Sequence, residues 1–200
     1  MVAGIRVPDS DVARDAERLS REASPPFLYA HAIRSFFFAS LLARRDGQRV
    51  DEEALYVGCV LHDIGLTPSH GHHSRPFEYV SADVAVDLSA EFAWPEPRRN
   101  ELRRAIVLHM AAEVGASETA EARLLHAGVA LDVTGHRLAD VDALAQREIL
   151  RRFPRGPFKR EFAALMREEA ERKPGCAAAT LVKRGLIERI EASPFPDTRS

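Results

Sequence analysis

The stretch that decides the fold is Val60-Leu61-His62-Asp63-Ile64-Gly65, where an imidazole and a carboxylate stand side by side at the end of an apolar segment. Burying an uncompensated polar or charged group costs a protein several kcal/mol. A divalent metal would remove this cost, because imidazole nitrogen and carboxylate oxygen are both metal ligands. The pair His62-Asp63 therefore predicts a buried metal site.

Two distant residues extend this prediction. His31 lies in the apolar segment 27–34, and Asp132 lies in the apolar segment 128–133. Each falls on the inward face of a predicted helix, so both side chains are expected to point at the core. We predict a site for a divalent metal, zinc first and iron next, whose ligands are His31, His62, Asp63 and Asp132.

The spacing of apolar residues and the positions of caps predict helices along the whole chain, and no strand pattern or internal repeat is found. The predicted helices run from about 10 to 22, 26 to 45, 51 to 64, 77 to 92, 97 to 109, 119 to 133, 141 to 152, 158 to 172 and 177 to 190. Gly65 is expected to end the third helix as a C-cap. Gly128 is expected to let the sixth helix approach a neighbour closely.

A chain of 200 residues is long enough for one domain with a full core. We expect an all-α fold, a single compact helical bundle over residues 1–200, with its core at about 8–180 and a frayed tail from about residue 193. The two cysteines, Cys59 and Cys176, are expected to be reduced.

The charge pattern bears on partners. The formal net charge is −2, and acidic and basic residues are mixed throughout, so neither nucleic acid nor a membrane surface is expected as a partner. The first ten residues lack the apolar core of a signal peptide, and charges are expected to interrupt the later apolar segments before they could span a bilayer. We expect a cytoplasmic protein that acts on a small molecule; self-association into a homo-oligomer is left open.

The order His, His-Asp, Asp resembles the HD superfamily of metal-dependent hydrolases. Further motifs, spread over residues 8–179, resemble its cyanamide hydratase-like branch. They are Ser24-Pro25-Pro26-Phe27-Leu28-Tyr29-Ala30-His31 with Arg34, Leu61-His62-Asp63-Ile64-Gly65-Leu66-Thr67, Arg75-Pro76-Phe77-Glu78, Leu108-His109, His126-Ala127-Gly128 with Leu131-Asp132-Val133, and Arg172-Lys173-Pro174-Gly175. Met110 departs from the threonine common at that position in the family, which indicates an altered pocket.

The resemblance implies a metal-dependent enzyme in which activated water attacks a nitrile carbon, as in the conversion of cyanamide to urea. It implies catalytic roles for Asp63, His109 and Glu78. Contacts with substrate are expected from Arg34, Thr67 and His73. Alternatives stay open for three of these residues: His109 as a structural histidine, Glu78 as a carboxylate at a helix N-terminus, and Arg34 as an ion-pair partner.

The loop after the His-Asp pair contains His70, His72 and His73. By composition it could be a solvated loop, a lid or a second metal site. In the last case His73 or His72, together with His109, would bind a second metal, and a dimetal oxygenase would be favoured.

Other functions rank lower from sequence. Phosphoester hydrolysis comes second, because few cations besides Arg34, Arg75 and the histidines are expected near the metal. The pocket is expected to suit a small neutral molecule; its predicted lining is Phe27, Phe38, Leu55, Ile106 and Leu131. A non-enzymatic binding or interaction module would require a vestigial metal motif, although no predicted ligand is missing.

Overall fold

The computed structural model describes residues 1–72 and 74–197, and it is all-α as predicted. Its helices are α1 (Asp11–Ala23), α2 (Pro26–Arg45), α3 (Glu52–Leu61), α4 (Phe77–Glu91), α5 (Glu96–Leu108), α6 (Ala120–Thr134), α7 (Ala143–Arg152), α8 (Phe158–Arg172), α9 (Ala177–Lys183) and α10 (Leu186–Glu191). Two short 3₁₀ turns, Ile64–Leu66 and Leu138–Asp140, complete the helical elements of the described residues. Near the N-terminus, Val2 and Ile5 form an isolated antiparallel β-bridge.

The helix starts follow from capping chemistry. The side chains of Ser10, Asp51 and Thr119 each accept a hydrogen bond from a backbone N–H in the first turn of α1, α3 and α6. Such caps satisfy donors that have no partner inside the helix. Pro26 opens α2, where its missing N–H costs nothing.

The core is built around α2, which packs most extensively against α6 and also contacts α3 and α8. Its aromatic residues Phe36, Phe37 and Phe38 are buried. By length and composition α2 is apolar enough to cross a membrane, contrary to the expectation from charge spacing. However, 72% of its most apolar window is buried within the fold, so the other helices cover this surface.

Gly128 allows the close approach of α6 to α2, as predicted. A Cβ atom at this position would lie 2.4 Å from the carbonyl oxygen of Ser35 and 2.8 Å from Cβ of Ala39. Real Cβ atoms do not come this close to backbone, so the two helices could not cross at this distance with a larger residue.

The prediction for Gly65 was wrong. Helix α3 ends at Leu61, and Gly65 lies inside the following 3₁₀ turn rather than at a left-handed C-cap. A Cβ at Gly65 would lie 2.4 Å from the carbonyl oxygen of Phe77. The backbone N–H of Gly65 donates to Ser81 Oγ at 2.9 Å. The glycine is needed because the start of α4 lies against this turn.

The C-terminal region differs from the prediction in two ways. The single helix predicted over 177–190 is broken between α9 and α10 at Gly185, whose φ is +81°. A positive φ is incompatible with a continuing right-handed helix. The segment 193–197 is packed rather than frayed, since Phe195 is buried and its ring stacks on Phe38 with centroids 6.0 Å apart. Residues 198–200 lie outside the described residues.

Candidate metal centre

Three of the predicted ligands meet in the interior. His31 lies on α2, and His62 and Asp63 occupy the turn that follows α3. The Nε2 atoms of His31 and His62 are 3.2 Å apart, and Asp63 Oδ2 lies 3.5 Å and 3.2 Å from them. All three side chains are buried, and their ligand atoms lie within 4.8 Å of one another.

The hydrogen bonds of the two histidines fix which ring nitrogen carries the proton. His31 Nδ1 donates to Asp132 Oδ2 at 2.7 Å, and His62 Nδ1 donates to the carbonyl oxygen of Cys59 at 2.7 Å. A carbonyl or carboxylate oxygen can only accept, so the proton of each neutral ring resides on Nδ1. Each Nε2 therefore presents a lone pair to the space beside Asp63, the arrangement found in histidines that bind metals.

His109 adds a third imidazole to this group. It follows the last residue of α5, and its Nδ1 donates to the carbonyl oxygen of Ile106. Its Nε2 lies 3.6 Å from Asp63 Oδ1. Among the described residues, neither His109 Nε2 nor either carboxylate oxygen of Asp63 has a hydrogen-bond partner, although all are buried.

These unpaired acceptors fit a divalent cation. Buried acceptors without donors are costly, and a cation placed between them would satisfy the nitrogen and oxygen lone pairs together. A set of imidazoles with one carboxylate suits zinc or iron. The residues present therefore fit the predicted metal through His31, His62 and Asp63, with His109 beside them.

The electrostatics of the cluster favour positive charge. Burial disfavours the charged form of Asp63, but His62 and the other neighbouring imidazoles outweigh it and hold the pKa of the carboxyl well below its ordinary value. Burial also disfavours protonated His62, yet the adjacent Asp63 outweighs this and raises the pKa of His62, so a proton and a cation compete for its Nε2. Burial lowers the pKa of His31 and of His109, which keeps both rings neutral and available as ligands or bases.

Asp132, the fourth predicted ligand, lies behind His31. Its Oδ1 accepts from Arg34 Nε at 2.7 Å and from Arg155 Nη1 at 3.0 Å, and its Oδ2 accepts from Arg34 Nη2 at 2.8 Å as well as from His31. In this geometry Asp132 orients His31. Direct ligation of the metal by Asp132 stays a prediction. It would require the carboxylate to give up the hydrogen bond from one of these donors.

The same contacts define the environment of two arginines. Arg34 is completely buried and is the ion-pair partner of Asp132, one of the two alternatives considered for it. Arg34 Nη1 also donates to the carbonyl oxygens of Phe153 and Pro154. Arg155, in the turn before α8, was not identified from sequence, because nothing in that turn indicates that its side chain is buried on Asp132.

A cavity of about 420 Å³ opens from Asp63 and His109. Most of its wall is apolar, contributed by Met110, Val129, Val133, Phe162, Met166 and Leu181. Its solvent-exposed end carries His136, Arg184 and Arg189. None of the five apolar residues predicted to line the pocket does so, whereas Met110, singled out as a departure from the family, lies in the wall.

The structure does not bring Thr67 or Glu78 to this cavity. Thr67 Oγ1 donates to the carbonyl oxygen of Ile64 at 2.7 Å, and the residue lines a different cavity of about 660 Å³. Glu78 is buried near Glu169 and Lys173, and burial raises the pKa of its carboxyl. Their predicted roles in substrate binding and catalysis stay predictions.

The histidine loop is also separate from the cluster. His70 Nδ1 contacts the hydroxyls of Thr67 and Ser69, and His72 Nδ1 accepts from the backbone N–H groups of Ser74 and Arg75. His72 lines the second cavity and His109 the first, so the structure gives no support to a second metal between them. His73 lies outside the described residues, and its predicted contacts with substrate or with a second metal stay predictions.

An all-α fold with a buried cluster of histidines and one aspartate, of which Asp63 and His109 reach the floor of a cavity, is that of a candidate metal-dependent enzyme. The family model of the HD domain matches residues 28–177, well over half of the chain. The chain therefore belongs to the HD domain family, whose members are typically metal-dependent hydrolases that bind divalent cations. No curated protein matches the chain significantly.

Proposed function

We propose that the protein is a metal-dependent hydrolase that acts on a small molecule entering through the 420 Å³ cavity. One observation carries the proposal: the acceptor atoms of His31, His62 and Asp63 converge in the interior, and neither Asp63 oxygen has a donor among the described residues. Such a set is expensive to maintain unless a cation holds it together.

The residues of the cluster have different roles in this proposal. His31, His62 and Asp63 would hold the cation, while Asp132 keeps the proton of His31 on Nδ1. When bound, a divalent cation lowers the pKa of water enough to make it a nucleophile near neutral pH and polarises an electrophile beside it. Asp63 Oδ1 can accept a hydrogen bond from this water and orient it toward His109 Nε2, 3.6 Å away, which can take the proton.

His109 is placed for proton transfer. It lines the cavity, its Nε2 is unpartnered, and its lowered pKa keeps it neutral near pH 7. A neutral imidazole can take a proton from water and return it to a leaving group. The apolar side chains of Phe162 and Met166 limit competing water around the reacting atoms.

We place phosphoester hydrolysis ahead of nitrile hydration, which reverses the order expected from sequence. That order depended on a scarcity of cations near the metal. Arg184 and Arg189 line the exposed end of the same cavity, where they can bind a charged part of a phosphoester away from its reacting group. The cavity volume falls in the range of about 300–1,000 Å³ that accommodates drug-sized ligands, whereas cyanamide has only three heavy atoms.

Nitrile hydration remains the second candidate. It is favoured by the resemblance of the segment from Leu61 to Thr67, and of Leu108-His109, to motifs of the cyanamide hydratase-like branch. In this reaction water adds across the carbon–nitrogen triple bond, so one proton must be delivered to nitrogen. Neutral His109, after taking the proton of water, would deliver it.

The test combines metal analysis with a substrate panel. Wild-type protein, His62→Ala and Asp63→Ala are purified, their metal content is measured by elemental analysis, and each is incubated with phosphomonoesters, nucleotides, cyanamide and other small nitriles. We expect about one equivalent of metal and release of phosphate by the wild type, with both lost in the two variants.

His70→Ala is the matched control, because it removes a histidine that lies outside the cluster and should keep both metal and activity. Full metal occupancy in His62→Ala and Asp63→Ala would refute the metal centre. Formation of urea or amide without release of phosphate would restore nitrile hydration to first place.

A further inference from the structure

We propose that Arg184 and Arg189 form a binding subsite for an anionic group of the substrate, a carboxylate or a phosphate, separate from the group that reacts at the metal centre. The substrate would then have its reacting group at the cavity floor, an apolar middle and an anionic end at the rim. This proposal rests on the proposed function, since it assigns the substrate class for the same cavity.

The first support is that the two guanidinium groups have no carboxylate partner among the described residues. Both line the cavity, and in the described part of the chain neither forms an ion pair with a carboxylate. Arg34 and Arg155, by comparison, share Asp132, and Arg98 bonds to two carboxylates. The charges of Arg184 and Arg189 are therefore available to a ligand.

The second support is the backbone geometry that brings the two residues to one rim. In a continuous α-helix, residues five apart project about 140° away from each other. The break at Gly185, with φ +81°, ends α9 and restarts the chain as α10. Arg189 Nη1 then donates to the carbonyl oxygen of Arg184 at 2.8 Å. This hydrogen bond holds the guanidinium of Arg189 beside Arg184.

The third support is the distribution of charge in the cavity. Among the described residues that line the cavity, Asp63, at the buried end, is the only carboxylate, whereas the exposed end carries both arginines and His136. Glu188 lies between the arginines in sequence, but it is exposed and does not line the cavity. The rim is therefore complementary to an anion, and a guanidinium binds carboxylate or phosphate with two parallel hydrogen bonds.

The walls between the two ends determine the rest of the ligand. Phe162, Met166, Leu181 and Leu186 separate the buried histidines from the arginines, so a ligand that reaches both ends must present apolar surface to them. A small neutral nitrile has neither an anionic end nor an apolar middle. An aliphatic or aromatic chain ending in carboxylate or phosphate has both.

Direct binding is the test. The probes are 4-phenylbutyrate, 2-phenylethyl phosphate and the neutral 4-phenylbutyramide, and their dissociation constants are measured by titration calorimetry with metal-loaded and metal-stripped protein. Stripped protein isolates the rim, because no anion can then bind to a cation at the floor. The proteins are wild type, the double variant Arg184→Gln/Arg189→Gln and the control Arg151→Gln, whose exposed side chain lies outside the cavity.

We expect at least one anionic probe to bind wild-type protein more tightly than the amide, with or without metal. The preferred probe identifies carboxylate or phosphate as the recognised group. The double variant should weaken binding of that probe by about tenfold or more while the amide is unaffected, as expected for loss of charge-assisted hydrogen bonds, and Arg151→Gln should match wild type. Equal binding of anion and amide by wild type, or equal binding of the anion by wild type and double variant, would overturn the proposal.

The two proposals fail separately. If the rim binds the anionic probe but no ester, phosphoester or nitrile is turned over, the subsite stands and the proposed hydrolase function falls. If substrates are turned over but the double variant leaves KM for anionic and neutral substrates unchanged, the function stands and the subsite falls.

Discussion

A residue behind the metal cluster, Asp132, keeps the ring proton of His31 on Nδ1. Asp132 accepts a hydrogen bond from this N–H, and Arg34 and Arg155 hold Asp132 in turn. The buried carboxylate thus has three donors, and its pKa is held well below its ordinary value by the two guanidiniums despite burial. His31 can present its Nε2 lone pair only while this arrangement persists.

Replacing Asp132 by Asn separates support from direct ligation. We expect metal affinity to fall by about 10–100-fold, as for loss of a carboxylate that orients a histidine ligand. The free energy of unfolding of metal-free protein should fall by about 3–5 kcal/mol, because two buried guanidiniums lose their counter-ion. Competition with a chelator measures the affinity, and denaturant unfolding measures the stability.

Asp140→Asn is the control, since Asp140 is an ion-pair partner of arginines outside the cavity and the centre. Loss of metal as complete as in Asp63→Ala, with unchanged stability of the metal-free protein, would make Asp132 a direct ligand and contradict the supporting role.

The sequence predicts those metal-centre residues that are adjacent in the chain or lie on the inward face of a helix. His62 and Asp63 are adjacent in the chain, and His31 lies on the inward face that helical spacing indicated, so their convergence could be predicted. Arg155 could not, because it lies in the turn before α8, where helical spacing gives no inward face, and no local pattern marks a buried arginine. Thr67 was expected at the substrate site from a motif; its hydroxyl donates to the carbonyl oxygen of Ile64 in the 3₁₀ turn, and its contact with substrate stays a prediction.

At the scale of helices, the crossing of α2 and α6 determines how closely His31 and Asp132 approach. Gly128→Ala should lower the free energy of unfolding by about 1–3 kcal/mol, because the new methyl group would meet the backbone at Ser35 and Ala39 and force the helices apart. The higher helix propensity of alanine offsets only about 1 kcal/mol of this. Denaturant unfolding of metal-free protein is the measurement.

Gly58→Ala is the matched control, since Gly58 is also helical but faces the flexible side-chain ends of Leu125 and Leu102. It should cost less than Gly128→Ala. A result in which Gly128→Ala is as stable as wild type would show that α2 and α6 can separate without penalty.

Helix positions were predictable, but the cavity was not. Caps and prolines marked the starts of α1, α2, α3, α6 and α8, since these signals act within one turn. The cavity wall combines side chains of α6, α8, α9 and α10, and helical periodicity shows which face is apolar without showing which faces meet. The break at Gly185 was missed because a glycine can also continue a helix.

For the whole molecule, α1 lies before the segment matched by the HD domain and needs its own attachment. Glu17 provides it: Tyr29 donates to Oε1 at 2.7 Å and Tyr56 donates to Oε2 at 2.8 Å. One carboxylate of α1 thus binds α2 and α3 together. Burial disfavours its charge, but the two tyrosines together with Arg21 outweigh this and lower the pKa of Glu17.

This attachment should make part of the stability depend on pH. A carboxyl whose folded pKa lies below its unfolded value of about 4.3 stabilises the fold above that pH and loses this contribution as pH falls through the folded pKa. We expect Glu17→Gln to be less stable than wild type by about 1–2 kcal/mol at pH 7. The difference should shrink as pH falls below the unfolded value, as measured by denaturant unfolding at several pH values.

Glu22→Gln, on the exposed surface of the same helix, should change stability by less than about 0.5 kcal/mol at any pH. A stability difference for Glu17→Gln that stays constant from pH 3 to pH 7 would mean that the charge of Glu17 contributes nothing and only its shape matters.

The apolar character of α2 has a consequence for biosynthesis. Its main packing partner, α6, is encoded after α3, α4 and α5, so the ribosome must translate all three before that partner exists. At synthesis rates of about 5–20 residues per second, α2 waits for on the order of several seconds with its phenylalanines uncovered. Nascent chains that end before α6 should therefore bind chaperones, and those extending beyond it should be released.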